Sequence, residues 1–528
     1  MADVRIPSRR ASPTTERRAR PDRRLPAETG SRVAPPGSRE ATPRPSVDSA
    51  PTGAQAASAR ELSDSALTLQ GRRFLIVTAP FGPFGRVLAA ELEGRGARVQ
   101  RMIFNIGDLI YWGRSGGLTF DDDVRDWPAH LADLVATQGL TDLIVFGEGG
   151  PYNQAILSRA DQIKALAEKG SRFEGLGARG VEASSPNPSN LDPKTFPRAQ
   201  AASAREPSDS ALVRAQAASA RGASDSALRI WVLENGYFRP DWITVEQDGV
   251  NARSSLARHR AAYDPPIPEI VPARPVGRAL PHHVAHISWY HFAQFLVRPF
   301  AFRRYAQPYT TPAWLQCASH IRRYFGLMLR PSTEADAQVI RARGPFFIAC
   351  LQREGDAQLL RYSHYADNTA FLAEVLTSFA RHAPTDARLV VKNHPLDPGL
   401  VDLRRMTRVL AIERGIADRV DFIDGGNLAQ LCRASNGMVV NNSSAALSAL
   451  GFRTPVKVLG EAFFDFDGLT DQQPIDTFWT HPQTPDPDLF TRFRAHVIHQ
   501  TQVNGNYHEP KALKPTAKAI ANRFAAAR

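Results

Sequence analysis

The stretch "VVKNHPLDPG", residues 390–399, places a cation and an imidazole directly after an apolar run. Lys392 supplies positive charge, His394 supplies a ring N–H, and Pro395 fixes the turn that follows. Charge-assisted hydrogen bonds from such groups suit a phosphate or another anion. A His-Pro pair also ends many strands in an ordinary turn, and that alternative stays open.

A second apolar run, in "GMVVNNSSAALSALG" (437–451), ends at Asn441 and Asn442. Ser443 and Ser444 then open a helix, where serine is favoured because its hydroxyl accepts from a free backbone N–H. The positive end of a helix also suits a phosphate. The pair is therefore a simple helix cap or the second half of a phosphate site. We favour the phosphate site because both patterns follow strands of the same predicted sheet.

Acidic side chains follow two further apolar runs. Glu234 and Arg239 stand in "WVLENGYFRPDWITVE", and Gln352 and Asp356 stand in "FFIACLQREGD". Two carboxylates at strand ends could act as a nucleophile and as an acid or base. The alternative is that these carboxylates form a structural salt bridge or a helix cap.

Alternating strand and helix patterns must position these groups. "RRFLIVTAPFGPFGRVLAAELEGRG" is a strand, a glycine-rich turn and an amphipathic helix, and the pattern repeats through both halves of the chain. It predicts an α/β protein of GT-B-like architecture, with two Rossmann-like domains whose parallel sheets face a central cleft. Ligands of such sheets bind at the carboxyl ends of the strands.

The sequence also divides into segments of different composition. "AQAASARELSDSAL" at 54–67 recurs, with small changes, at 199–212 and 215–228, where it interrupts the first domain. The predicted segments are a disordered Arg/Pro/Ser-rich tail (1–70), an N-terminal Rossmann-like domain (71–265) interrupted by a repeat-containing insertion (about 171–229), a basic-aromatic segment (266–335), a C-terminal Rossmann-like domain (336–480) and a helical extension (481–528).

Composition restricts the class of protein. The 528 residues are 43% hydrophobic, and part of the net charge of +12 comes from residues 1–50, which hold eleven Arg against six acidic residues. No secretory signal and no run of about 18 apolar residues is seen, so we expect a cytoplasmic protein. Cys317, Cys350 and Cys432 are too widely spaced for a disulfide framework or a zinc site.

The segment 281–331 mixes aromatic and apolar residues with Arg and His. This mixture predicts a helix lying on an anionic membrane surface, with Arg303, Arg304, Arg322 and Arg323 as surface cations. An interdomain helix pair that buries its aromatic residues is an equal alternative, and stacking on RNA would use the same residue types. Without acidic partners the histidines at 282, 283, 286 and 291 do not predict a metal site.

Taken together, the motifs resemble those of a known family. "PFGPFG" (80–85), "FNIGDLIYW" (104–112), "ENGYFRPDWITVE" (234–246), the spacing of Gln352 and Asp356, and the His-Pro and Ser-Ser pairs occur in this order. In these features the chain resembles the capsule polysaccharide biosynthesis and export proteins of Gram-negative bacteria, in particular the KpsS-type retaining β-Kdo transferases. The resemblance covers most of residues 72–480.

The resemblance implies an enzyme that transfers Kdo, a 2-keto sugar acid, from CMP-Kdo to a lipid acceptor such as lysophosphatidylglycerol. The C-terminal domain would bind the CMP-sugar, and the N-terminal domain would bind the acceptor. Lys392, His394, Pro395 and the start of the helix at Asn442–Ser444 would hold the phosphate, so no metal or other cofactor is expected. Partners would be the donor, the lipid, the inner-membrane surface and other capsule proteins, but no nucleic acid.

The resemblance also implies roles for single residues. Retention is usually achieved by double displacement, for which Asp356 would be the nucleophile. Gln352 would orient the sugar, Arg239 would pair with the Kdo carboxylate, and Glu234 would be the acid/base or hold the acceptor. Related sequences often have a second acidic residue where Asn235 stands, so proton transfer would rest on Glu234 alone. Acceptor-side roles fall on Asn105 and Asp108, for which core packing plus a turn is the alternative.

Two other functions remain open from the sequence. A non-catalytic scaffold or export component would not need Glu234, Asp356 and His394 together at strand ends. A transferase that uses CMP-sialic acid is harder to separate, because sialic acid and Kdo are both 2-keto acids.

Overall fold

The structure is a computed structural model that describes residues 68–169, 228–264, 266–270, 272–277, 279–307, 312–328 and 336–527. Except for residues 68–70 and 228–229, the predicted tail (1–70) and the repeat-containing insertion (about 171–229) lie outside the described residues. The described residues belong to one compact unit, which contains both predicted Rossmann-like domains. We refer to these domains as the N-lobe and the C-lobe.

Strands and helices alternate along most of the described chain. The strands are β1 (Arg73–Ile76), β2 (Arg98–Ile103), β3 (Gly117–Thr119), β4 (Asp142–Phe146), β5 (Arg229–Asn235), β6 (Trp242–Gln247), β7 (Phe346–Cys350), β8 (Arg388–Lys392), β9 (Val420–Ile423), β10 (Gly437–Val440), β11 (Val456–Val458) and β12 (Gln502–Asn504).

The helices of the N-lobe and of the segment that follows it are α1 (Phe84–Gly94), α2 (Ile106–Trp112), α3 (Trp127–Gln138), α4 (Pro151–Leu157), α5 (Ala160–Lys169), α6 (Ala279–Val297) and α7 (Ala313–Met328). Those of the C-lobe and the C-terminal segment are α8 (Ala337–Ala342), α9 (Ala357–Arg361), α10 (Asn368–His382), α11 (Leu403–Glu413), α12 (Leu428–Ala434), α13 (Ala445–Gly451), α14 (Ile475–Phe478), α15 (Pro487–Thr501) and α16 (Leu513–Ala526).

The N-lobe sheet has the strand order β12-β6-β5-β4-β1-β2-β3. Strands β1 to β5 are parallel, as the sequence pattern predicts. Strand β6 is the exception, because it pairs antiparallel with β5. Only residues 236–241 connect these two strands, and a parallel pair needs a crossover of a dozen or more residues.

The C-lobe sheet has the order β11-β10-β7-β8-β9, and all its strands are parallel. Its central strand β7, "FFIAC", is buried along its whole length because helices cover both faces of the sheet. One mostly parallel and one fully parallel α/β sheet therefore confirm the predicted fold class.

Polar residues fix where many helices begin. The side chain of the residue before each of these helices accepts a hydrogen bond from a backbone N–H of the first turn, which satisfies a group that has no partner within the helix. The capping residues include Asn105 at α2, Asp336 at α8, Asp356 at α9, Asp367 at α10, Asp402 at α11, Asn427 at α12 and Asp486 at α15.

The C-terminal segment joins both lobes. Helix α15 packs into the C-lobe core through Leu489, Phe493 and Val497. Strand β12 then pairs antiparallel with β6, and α16 packs on α1 of the N-lobe. The segment predicted as a helical extension therefore also contains the edge strand of the N-lobe sheet.

We expect the contact of α16 to be essential for N-lobe stability. The ring of Phe524 is fully buried, with its centroid 5.7 Å from that of Phe74 and 4.4 Å from that of Trp231. Phe524→Ala should lower the free energy of unfolding by about 3–5 kcal/mol because it leaves a cavity. Phe300→Ala, at a side chain that is 86% exposed, is the control and should change it by less than about 0.5 kcal/mol. Urea unfolding measures both, and equal effects would contradict the assigned packing.

Candidate active site

A cleft of about 720 Å³ opens between the carboxyl ends of the two sheets. Loops after β1, β2, β4 and β5 line it from the N-lobe, and loops after β7, β8, β9 and β10 line it from the C-lobe. The sequence-predicted residues in its lining are Asp108, Glu234, Arg239, Gln352, Asp356, Lys392, His394, Pro395, Asn442, Ser443 and Ser444. The structure thus brings all the predicted site residues to one cleft except Asn105.

His394 is held as a neutral hydrogen-bond donor. Its Nδ1 accepts from the backbone N–H of Leu396 at 3.1 Å, which places the ring proton on Nε2. Burial, together with the nearby positive charges of Arg239, Arg353 and Lys392, lowers the pKa of His394 to about 3. The imidazole is therefore uncharged at neutral pH and has an N–H to offer to an anion in the cleft.

The loop that carries His394 is held from below by Arg323 of α7. The guanidinium donates to the carbonyl oxygens of His394 at 3.0 Å, of Pro395 at 3.2 Å and of Asp397. It also forms a salt bridge of 2.8 Å with Asp424. The Arg323 side chain is only 7% exposed. The prediction that Arg323 is a surface cation is wrong, because its guanidinium points into the protein and hydrogen-bonds to several oxygens at once.

Two of the predicted donor-binding residues bond to each other. Gln352 Nε2 donates to Asn442 Oδ1 at 2.6 Å, and Gln352 Oε1 accepts from Asn441 Nδ2 at 2.9 Å. Asn442 Nδ2 donates in turn to the carbonyl oxygens of Gln358 and Tyr362. These amides brace the ends of β7 and β10 and hold α9 against them, while also facing the cleft.

The serine pair lies at the start of α13, as predicted. Ser443 Oγ accepts from the backbone N–H of Ala445 at 3.3 Å. Ser444 occupies the capping position but its side chain makes no capping hydrogen bond. One serine therefore serves as a cap, and the hydroxyl of the other is not used in that way.

The predicted acidic pair is partly withdrawn from water on opposite lobes of the cleft. Burial raises the pKa of Glu234 to about 6; Arg239 opposes this shift, whereas the negative charges of Asp356 and Glu148 add to it. Burial also raises the pKa of Asp356, while the backbone N–H of Gln358 and the charge of Arg353 lower it. Asp356 Oδ1 accepts from the Gln358 N–H at 2.9 Å and so caps α9. Asp356 therefore lines the cleft and also caps a helix, the role that the sequence left open as an alternative.

Glu148, which the sequence analysis missed, links the two lobes. Its Oε1 accepts from the backbone N–H of Val250 at 2.8 Å. Its Oε2 accepts from Gln358 Nε2 at 3.2 Å and from the Tyr362 hydroxyl at 2.9 Å, both in the C-lobe. The stretch "DLIVFGEGG" carried the same signal as the other candidates, a carboxylate directly after an apolar strand.

The predicted acceptor-side pair forms a helix-capping network. Asn105 caps α2 and donates through Nδ2 to Asp108 Oδ2 at 3.0 Å and to the Tyr290 hydroxyl at 2.6 Å. Asp108 forms a salt bridge of 3.0 Å with the buried Arg101. These contacts match the alternative of core packing plus a turn, although Asp108 also reaches the cleft lining.

The histidines of α6 pack on the C-terminal segment and on α2. His283 Nδ1 lies 3.0 Å from His508 Nε2, and His286 Nδ1 lies 3.2 Å from the Tyr111 hydroxyl. Across the described ranges, no group of three or more His, Cys, Asp or Glu side chains is placed to hold a metal ion. The expectation that the protein needs no metal stays a prediction.

Comparison with known proteins agrees with the motifs. The family model for capsule polysaccharide biosynthesis proteins matches residues 210–508, more than half of the chain. The chain belongs to this family. The resemblance seen in the sequence is thereby confirmed, and the matched region includes every cleft loop from β5 to β10.

Curated relatives of this capsule polysaccharide biosynthesis protein match it over most of their length. It is 27% identical over 456 residues to the capsule polysaccharide export protein KpsS of Escherichia coli, and the aligned region covers 85% of this chain and 100% of that protein. It is 27% identical over 451 residues to the capsule polysaccharide modification protein LipB of Neisseria meningitidis serogroup B, covering 82% and 91%. Among solved structures, Thermosulfurimonas dismutans KpsC, a β-Kdo 2,7 transferase, matches with 14% identity and a TM-score of 0.34, covering 86% of this chain and 100% of that one.

The raised pKa of Glu234 predicts a pH-dependent stability difference between wild type and Glu234→Gln. Because the folded-state pKa of about 6 lies above the ordinary 4.5, ionising Glu234 costs stability. Wild type should therefore lose about 2 kcal/mol relative to the variant as pH rises from about 4.5 to about 6, and the difference should then stay constant. Urea unfolding across this range measures it, with the exposed Glu413→Gln on α11 as the control for carboxyl loss. A difference independent of pH would contradict the burial of Glu234.

The contacts of Glu148 predict energetic coupling between the lobes. Glu148→Ala removes the acceptor for three donors, so it should lower the free energy of unfolding by about 2–4 kcal/mol. In a double-mutant cycle with Tyr362→Phe the coupling energy should be about 1 kcal/mol or more. Tyr111→Phe, in α2, is the matched control and should be additive with Glu148→Ala. Additivity of Glu148→Ala with Tyr362→Phe would mean that the bond across the lobes contributes nothing.

Proposed function

We propose that this protein transfers Kdo from CMP-Kdo to a lipid acceptor of the lysophosphatidylglycerol type, with retention of configuration, during capsule polysaccharide biosynthesis. The observation that carries the proposal is one cleft in which two partly buried carboxylates, Glu234 and Asp356, share the space with a neutral His394 and with Lys392. Family membership makes capsule polysaccharide chemistry the setting. The motif resemblance suggests the donor.

The phosphate of CMP would bind at the C-lobe strand ends. His394 Nε2–H, the Lys392 ammonium and the start of α13 at Ser444 all border the cleft there. When the bond from phosphate to sugar breaks, negative charge grows on a phosphate oxygen, and donors held in place by the fold stabilise that charge without reorganising. This set of donors supports departure of CMP without a metal.

The sugar carboxylate would pair with the guanidinium of Arg239. Arg239 lines the cleft beside Glu234, and its Nε donates to the carbonyl oxygen of Gly236 at 3.2 Å, which fixes its orientation. A guanidinium binds a carboxylate in a planar, two-bonded arrangement. Kdo and sialic acid both carry a carboxylate at the anomeric carbon, so Arg239 suits either sugar, and the donor assay below includes both.

Asp356 is the proposed nucleophile. Its carboxylate would attack the anomeric carbon as the bond to the CMP phosphate breaks, giving a sugar ester on Asp356 and free CMP. CMP leaves as a phosphate anion and needs no proton. In the second step the acceptor hydroxyl would attack the same carbon, and Asp356 would leave as a carboxylate.

Glu234 is the proposed base of the second step. With a pKa of about 6 it is mostly ionised at neutral pH, yet basic enough to take the proton of the acceptor hydroxyl. A non-catalytic scaffold gives no reason to place Glu234 and Asp356 on facing lobes of one cleft, where the charge of Asp356 makes Glu234 harder to ionise. That cost favours an enzyme over a scaffold or export component.

The lipid acceptor sets the proposed location. An acceptor of this type would lie in the cytoplasmic leaflet, so the enzyme would work in the cytoplasm, peripherally attached to the inner membrane and beside other capsule proteins. No helix within the described ranges is long and apolar enough to cross a membrane.

A single experiment tests the proposed function. Purified protein is incubated with lysophosphatidylglycerol and either CMP-Kdo or CMP-sialic acid, and CMP release and glycolipid formation are followed. We expect CMP-Kdo alone to react, Asp356→Asn to abolish transfer while leaving the fold intact, and Glu234→Gln held with donor to gain one Kdo mass on the peptide that contains Asp356. A label on Glu234 would exchange the two roles. Near-normal transfer by Asp356→Asn would overturn the double displacement.

A further inference from the structure

We propose that one face of α2, α6 and α7 docks on an anionic lipid bilayer, and that docking orders the His394 loop through Arg323. The first observation is a set of large apolar side chains exposed on three helices that pack together. The set, which we name the α6–α7 face, comprises Leu109, Ile110, Trp289, Phe292, Phe295, Leu296, Phe300, Trp314, Leu315 and Ile321. Scattered exposed apolar residues are ordinary, but a concentrated aromatic patch marks an interaction surface.

Spacing along α6 shows that the exposed apolar residues of this helix share one side. Trp289, Phe292 and Leu296 recur at intervals of three and four residues, and Phe300, just beyond the end of the helix, continues the row. Phe300 is 86% exposed and Ile321 is 66% exposed, which is far more than a helix pair that buries its aromatic residues would show. Helices α6 and α7 therefore do form the helix pair predicted as an alternative, but the aromatic side chains on one side of this pair stay exposed.

Charge decides what covers this face. Residues 270–333 contain no Asp or Glu but eight Arg: Arg274, Arg278, Arg298, Arg303, Arg304, Arg322, Arg323 and Arg330. Two copies of the chain meeting through this face would bring like charges together. An anionic bilayer instead pairs its headgroups with exposed arginines such as Arg298, Arg303 and Arg304, while its acyl region accepts the aromatic and aliphatic side chains. We therefore commit to an anionic bilayer.

The other side of α6 faces the cleft. Tyr290 is buried on that helix and lines the cleft together with Tyr305. A helix with its side chains is about 10–12 Å across, so the bilayer and the cleft would be separated by one helix. If the proposed function holds, on which this step rests, a membrane lipid could present its headgroup to the acceptor side without leaving the bilayer.

One turn of α7 connects the face to the His394 loop. Ile321 is exposed on the face, and the next residue, Arg322, donates to the carbonyl oxygen of Gly399 at 3.0 Å. Arg323 follows and holds the carbonyl oxygens of His394 and Pro395. Fixing this turn on a bilayer would restrict the loop that offers His394 to a phosphate. By thermodynamic reciprocity, a phosphate ligand bound at the loop must strengthen docking by the same factor.

Docking is tested with vesicles and matched variants of the full chain. Wild type should bind vesicles of phosphatidylglycerol and phosphatidylcholine at least about tenfold more tightly than vesicles of phosphatidylcholine alone, and added salt should reduce this preference. Phe295→Ser with Phe300→Ser, and separately Arg298→Glu with Arg303→Glu, should each lose about tenfold. Arg405→Glu with Arg408→Glu, exposed on α11, is the control of equal charge change and should lose little.

Three outcomes would overturn docking. Equal binding to both kinds of vesicle would remove the role of the arginines. Equal loss in the α11 control would show a general charge effect. A dimer seen by light scattering that Phe295→Ser with Phe300→Ser separates would assign the face to a second copy instead.

Coupling is tested by hydrogen exchange of the peptide 393–400, in the absence of any donor. Anionic vesicles should slow its exchange severalfold in wild type, but not in Phe295→Ser with Phe300→Ser or in Arg323→Lys, which keeps the charge and loses the forked contacts. CMP should tighten vesicle binding by the same factor by which vesicles tighten CMP binding. Unchanged exchange in vesicle-bound wild type would overturn the coupling. If CMP does not bind at all, the proposed donor fails while the exchange result still judges the coupling.

Discussion

Burial of charge between the two sheets is the constraint on which this site depends. Strands of both lobes end at the same cleft, so the polar groups that follow them are removed from water together. A buried charge is tolerated only if it is paired or hydrogen-bonded. The same withdrawal raises the pKa of Glu234 and lowers that of His394, which gives a carboxylate able to accept a proton and an imidazole that stays neutral.

Much of the surrounding structure satisfies that constraint. Gln352, Asn441 and Asn442 exchange hydrogen bonds across β7 and β10, and Glu148 accepts from both lobes. Arg323 likewise donates hydrogen bonds to carbonyl oxygens of the His394 loop. These residues hold the strand ends and the loop in one arrangement, which is what a site requires if its donors are to be in place before the substrate arrives.

The sequence predicted the elements and the cleft because both depend on local patterns. Apolar runs followed by helical spacing give the strands and their crossovers, and parallel strands bring their carboxyl ends to one edge. The antiparallel direction of β6 depends instead on connection length, and the pairing of β12 joins residues such as Thr244 and Gln502 that are far apart in the chain. Arg323 looked like its surface neighbours because nothing in its local sequence shows that a loop 71 residues later needs its donors.

The return of the chain end to the N-lobe has a consequence for synthesis. Strand β6 has no outer partner until β12 emerges from the ribosome, and the face of the sheet around Phe74 stays uncovered until α16 follows. Domains generally fold in the order in which they are made. Here the C-lobe, made second, has its full sheet before the N-lobe has its last strand. The nascent protein therefore carries an open sheet edge while the whole C-lobe is being made, a stage at which edge pairing with another chain competes with folding.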